Sequence, residues 1–186
     1  MSLLALHDEL ASETLYQDKY LTFQKKGSWE FVSRCHVTGR VGILAITENH
    51  EIILTEQFRP PMNRRVIEIP AGLAGDLPNE ELETLIDAAH RELLEETGYT
   101  AESLEYLAES PSPAGLSTEL ISLFHAVGLK KVSEGGGDNT EHITVHKVPI
   151  EELSPWINSK RREGCLVDYK LFAAPYLADS QKIQVD

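Results

Sequence analysis

Residues 41–47 are nearly all apolar or β-branched, and the β-rich run 52–58 follows after the turn Glu48-Asn49-His50. Runs of this kind hide both faces, so they are expected as central strands with other elements packed on either side. The rest of the chain supplies such elements. A helical stub at 3–12 leads into β-rich runs at 14–23 and 29–36, split by Lys25-Lys26-Gly27-Ser28 into an expected hairpin. Phe58-Arg59-Pro60-Pro61 reads as an irregular corner, and 66–69 as a short strand entering a loop at Gly72. Strands are expected at 104–110 and 121–129, around the Pro-rich turn Pro111-Ser112-Pro113-Ala114-Gly115. Gly135-Gly136-Gly137 makes a flexible loop before a strand at 142–148, and helices are expected at 151–162 and 168–177. Mixed strands flanked by helices, without internal repeats, give an α/β sandwich.

At 186 residues, with 41% hydrophobic and 25% charged residues, the chain suits one well-buried domain with a small appendage. The division is expected at 1–40, a β-rich segment, and 41–186, the main domain. A formal net charge of −13 argues against nucleic acid or an anionic membrane as a non-specific partner. Cys35 and Cys165 form no Cys-x-x-Cys motif, and the seven His residues show no ligand spacing, so neither zinc nor redox chemistry is suggested. The Leu3-Leu4-Ala5-Leu6 run is too short for a signal peptide and no run reaches membrane-span length, which fits a cytoplasmic protein.

The chemistry concentrates on one predicted helix. Leu82, Leu85, Ile86, Ala89 and Leu93 recur at three- and four-residue steps and Gly98 follows as a C′ residue. Glu92 and Glu96 then lie within about 40° of each other at the edge of the apolar stripe. Two such charges about 4 Å apart repel by roughly 4 kcal/mol at an effective dielectric near 20, a cost that a divalent cation reverses. Carboxylate oxygens suit Mg²⁺, or Mn²⁺, as hard ligands for hard cations. The alternative is a solvated acidic face.

Glu83, seven intervening residues, Arg91-Glu92, an aliphatic residue, one variable position, Glu95-Glu96, Gly98 and Tyr99 together resemble the signature box of the Nudix hydrolases. The resemblance implies a Nudix α/β/α sandwich with a mixed sheet, and cleavage of a nucleoside diphosphate linked to another moiety. It implies Glu92 and Glu96 as main metal ligands, with Glu95 assisting or orienting, or simply pairing with Arg91 at i,i+4. In relatives a backbone carbonyl, here that of Ala71, completes the metal shell. Position 77 is Leu where the family usually has Gly, and the fitting context is Ile69-Pro70-Ala71-Gly72, so 73–82 reads as a lengthened loop.

From Glu56 to Asp168 the chain is most similar to the ADP-ribose and nucleotide-sugar pyrophosphatase branch. Glu56-Gln57-Phe58-Arg59 resembles a segment whose Arg contacts substrate phosphate, though Arg59 also fits a surface strand charge. Pro113, fifteen residues after Gly98, matches a proline linked to ADP-ribose specificity, or is only a turn residue. Glu68 matches a residue that helps recognise the nucleobase, or is a solvated strand residue. Glu141 matches a late catalytic carboxylate, with Asn139 where some relatives have a second Glu. The segment up to Arg40 matches an appendage through which such enzymes form a swapped homodimer. The implied reaction is metal-dependent hydrolysis of ADP-ribose to AMP and ribose 5-phosphate. A GDP-mannose or UDP-glucose type substrate, and a non-catalytic nucleotide-sensing module, are the alternatives.

Overall fold

The N-terminal β-rich stretch folds as three strands where two were expected: β1 (Glu13–Gln17), β2 (Leu21–Lys26) and β3 (Trp29–Arg34), paired in that order and antiparallel. The extra break falls at Asp18, whose side chain accepts from the Lys19 amide at 2.7 Å while its own amide donates to the Leu21 carbonyl at 3.0 Å. Such a local side-chain turn competes with strand pairing. The computed structural model describes residues 11–75, 83–137 and 142–179, so the expected stub at 3–12 lies mostly outside the described residues.

The two apolar runs form β4 (Gly39–Ala45) and β5 (Glu51–Arg59). They lie in different sheets, linked by the isolated Ile46 to Ile52 bridge and by side-chain packing in the core. A 3₁₀ turn at Pro60–Met62 leads to β6 (Arg64–Glu68) and then β7 (Ala71–Ala74). After helix α1 (Leu85–Thr97) come β8 (Tyr99–Thr100), β9 (Ser103–Pro111), β10 (Leu120–Val127) and β11 (Lys130–Lys131). The chain continues through β12 (Thr144–Pro149), α2 (Leu153–Arg162), β13 (Leu166–Val167) and α3 (Lys170–Asp179). One mixed sheet runs β7-β4-β10-β9 and another runs β12-β5-β6-β13, while β8 and β11 pair as a short ribbon. Each larger sheet contains one parallel pair, β4 with β10 and β6 with β13.

Alternation along the strands sorts the core into two layers. Val41, Ile43, Ala45 and Ile53 face Ala88, Ala89 and Leu93 of α1. Leu44, Ile52 and Leu54 face the other way, toward Ile157 of α2 and Leu171 and Ala174 of α3. The result is the expected α/β/α sandwich, with its sheet layer divided in two. The apolar stripe of α1 differs from expectation at Ile86, which is 48% exposed. Its buried positions are Ala88, Ala89, Glu92, Leu93, Glu96 and Thr97, so two carboxylates occupy the stripe itself.

Candidate functional site

α1 is fixed at both ends. Thr84 caps its N-terminus by accepting from the Asp87 amide at 3.1 Å. At the C-terminus Gly98 takes φ +74°, and its amide donates to the Leu94 carbonyl at 2.8 Å. The glycine run, expected as a flexible loop, docks here. The amides of Gly136 and Gly137 donate to the carbonyls of Glu96 and Glu95 at 2.9 and 3.0 Å, and Lys131 Nζ donates to the Thr97 carbonyl at 3.0 Å. The last turn of the helix, which carries both acidic residues, is therefore held from outside.

β7 packs against α1 at Glu92 and Glu96. The Ala71 amide donates to Glu96 Oε2 at 3.0 Å. Next to it, a Cβ placed on Gly72 would lie 1.9 Å from Cδ of Glu92, so only glycine admits that carboxylate. Glu92 and Glu96 are thus buried, 9% and 4% exposed, against consecutive residues of one strand. Buried like charges are costly unless a cation joins them. Two hard oxygen donors beside a backbone strand fit a divalent cation.

Arg91 is held on the outer side of this pair. Its Nε and Nη2 donate to the two carboxylate oxygens of Glu83 at 2.8 and 3.1 Å, and Nη2 also donates to the Leu73 carbonyl at 2.8 Å. Its Nη1 donates to Glu92 at 2.8 Å and to Glu95 at 3.2 Å. Glu83 in turn accepts from the Gly75 amide at 3.0 Å. Its hydrogen bonds with Arg91 hold the Glu83 carboxyl below the usual carboxylate range, and Glu83 raises the already high pKa of Arg91. One guanidinium serves three carboxylates, Glu83, Glu92 and Glu95, with Glu96 beside them on the helix, so the cluster keeps a net negative charge.

Arg59 and Glu68 also meet. Arg59 Nε donates to Glu68 Oε2 at 2.7 Å, with Glu68 buried. Glu68 ends β6 three residues before Ala71, which limits the chain path from this pair to the acidic cluster to about 10 Å. Pro113 sits in the turn after β9: its carbonyl accepts from the Leu116 and Ser117 amides, and the turn docks on β3 through Val32. Glu141 lies outside the described residues. Gly72, the Leu73 carbonyl and the amides of Gly136 and Gly137 carried no expected role; the close approach of Gly72 to Glu92 depends on packing that one sequence does not reveal.

Fold and site together define an α/β/α protein with a helix-borne acidic centre. Residues 37–168 match the family model described as NUDIX domain, well over half of the chain. The chain belongs to that family. It is 36% identical over 124 residues to a methanol dehydrogenase activator from Bacillus methanolicus, covering 66% of this chain and 64% of that protein. It is 34% identical over 123 residues to an ADP-ribose pyrophosphatase from Bacillus subtilis (strain 168), with 66% of this chain and 64% of the relative covered. The matched region thus spans just under two thirds of the length of these two relatives. A crystal structure of an ADP compounds hydrolase shares the fold, with a TM-score of 0.68 at 18% identity over 92% of this chain and 91% of that one.

Proposed function

We propose that this protein is a divalent-metal-dependent pyrophosphatase of nucleoside diphosphate sugars, acting on ADP-ribose to give AMP and ribose 5-phosphate. The observation that carries the reading is the burial of Glu92 and Glu96 on Ala71 and Gly72. The family assignment and the name of the Bacillus subtilis relative support the substrate class.

In this reading Glu92 and Glu96, with the Ala71 carbonyl, would hold Mg²⁺, or Mn²⁺. A bound divalent ion supplies charge neutralisation for the diphosphate and acidifies water. Arg59 binds a phosphoryl group through charge-assisted hydrogen bonds, and Glu68 orients Arg59 at the edge of the nucleoside site. Arg91 positions Glu92 and Glu95 from the outer side, and Glu95 keeps water or Arg91 in place. Glu141 serves as general base or late ligand, and Pro113 shapes the far wall. The segment 1–40 forms a homodimer contact, leaving 41–186 as the catalytic domain. Free thiols at Cys35 and Cys165 suit a cytoplasmic location, and among the described residues no helix is long and apolar enough to cross a membrane.

The test is a comparison of kcat/KM for ADP-ribose, GDP-mannose and UDP-glucose with Mg²⁺. At least tenfold preference for ADP-ribose is expected, a difference of about 1.4 kcal/mol in transition-state binding. Equal turnover of all three overturns the ADP-ribose assignment, and no turnover of any overturns the enzyme reading.

A further inference from the structure

Arg64 opens β6 directly opposite Arg59, the last residue of β5. Cross-strand partners stand on one face with Cβ atoms about 5 Å apart, and like charges so placed are unfavourable. The hairpin end does not relieve this by bending away. Asn63 takes a left-handed φ of 49° and its amide donates to the Pro60 carbonyl at 3.0 Å, which fixes the turn between the two arginines. Alternation puts Arg64, Val66 and Glu68 on the face shared with Arg59, and Arg65 on the other, where Glu56 engages it. Arg59 has Glu68, whereas among the described residues no carboxylate pairs with Arg64. In a chain of net charge −13, an exposed cation without a carboxylate partner is thus fixed beside Arg59, on the face that leads to Ala71.

We infer that Arg64 is a substrate-binding residue, forming with Arg59 a two-guanidinium fork for a phosphoryl group of the nucleoside diphosphate. Planar guanidinium donors match phosphoryl oxygens, and an anion between the two arginines turns their repulsion into attraction. The inference rests on the proposed substrate class. It assigns Arg64 to binding the diphosphate, so the effect is read as a loss of affinity in Kd.

The experiment is calorimetric titration of the full chain with Mg²⁺ and a non-hydrolysable ADP-ribose analogue carrying a methylene bridge in the diphosphate. Arg64→Ala, Arg64→Lys and the exposed control Arg162→Ala are compared with the wild type. Arg64→Ala is expected to raise Kd roughly tenfold, Arg64→Lys less, and the effect shrinks as salt rises. Arg162→Ala removes the same charge from α2 and should stay within twofold. A Kd for Arg64→Ala within twofold of wild type, or a matching loss in Arg162→Ala, overturns the inference. Thermal melts establish that each variant is folded. If the wild type binds the analogue through Arg64 but hydrolyses no nucleotide sugar, the activity fails and the fork stands. If it hydrolyses ADP-ribose and Arg64→Ala binds normally, the fork fails alone. Absence of binding by the wild type overturns both.

Discussion

Glu96 sits where stability and chemistry pull in opposite directions. Its carboxylate is buried beside that of Glu92, and the Ala71 amide that holds it offsets only part of the repulsion. Replacing Glu96 with Gln keeps an oxygen that accepts from Ala71 and removes one of two like charges. Glu96→Gln is therefore expected to raise the Tm of the metal-free protein, by about 1 kcal/mol of stability, and to lower kcat by at least about 100-fold. Differential scanning calorimetry with and without Mg²⁺ checks the first half, since the wild type should gain stability on adding metal and the variant should not, and steady-state turnover of ADP-ribose checks the second. A variant as active and as Mg²⁺-responsive as the wild type would remove Glu96 from the site. That Glu92 and Glu96 share a face was legible in the sequence, because a helical period fixes it without reference to anything distant. The Arg91 to Glu83 pair was not, since Glu83 precedes the helix and reaches Arg91 only through the path that Gly75 and Leu73 set.

At the scale of elements, α2 is tied to the sheet by one carboxylate. Glu56 of β5 accepts from Lys160 of α2 at 3.0 Å, from His146 of β12 at 2.8 Å and from Arg65 of β6. Burial pushes its pKa up, but hydrogen bonds from Lys160, Arg65 and His146 outweigh this and bring it down to about 2. A carboxyl whose pKa is depressed on folding contributes stability above its unfolded value, and that contribution is lost as pH falls through the folded value. The contribution is thus full above about pH 4.5 and disappears as the pH falls toward about 2. Glu56→Gln should cost on the order of 2 kcal/mol at neutral pH, because three donors lose their charged acceptor, and should flatten the acid limb. Urea titrations at pH 7, 4.5 and 3 measure this; an unchanged acid limb would mean that Glu56 does not tether α2. The strands and helices around this point were readable from alternation and apolar period. The assignment of β4 and β5 to different sheets was not, because ladder partners such as Ile121 for Arg40 lie far along the chain. The two-residue strands β8, β11 and β13 are too short to carry any period.

For the whole molecule, the unresolved balance is between an acidic surface and an apolar appendage. The sheet β1-β2-β3 is three strands deep, and its edge strand β1 is exposed along its full length. Leu15, Tyr16, Tyr20, Leu21 and Trp29 are all exposed on or beside it. A three-stranded sheet with apolar side chains in water gains stability by packing them on something, and an open edge invites pairing. Its contact with the main domain, through Val32 and the turn after Pro113, leaves those side chains uncovered. A second copy of the chain is the occupant the proposed function names, and the charge of −13 dictates how its association responds to salt. Two such chains repel at long range, so the dimer should tighten as ionic strength rises from about 0.01 to 0.15 M, the range over which the Debye length falls from about 30 to 8 Å. Sedimentation equilibrium at those two salt concentrations is expected to show a dimer whose Kd falls with salt. Tyr16→Glu, on the exposed edge strand, should shift the protein to monomer and lower its Tm only by the stabilisation that dimerisation supplied, because that side chain is exposed within one chain. A wild type that sediments as a monomer at both salt concentrations, or a Tyr16→Glu dimer as tight as the wild type, would show that this sheet is not the contact.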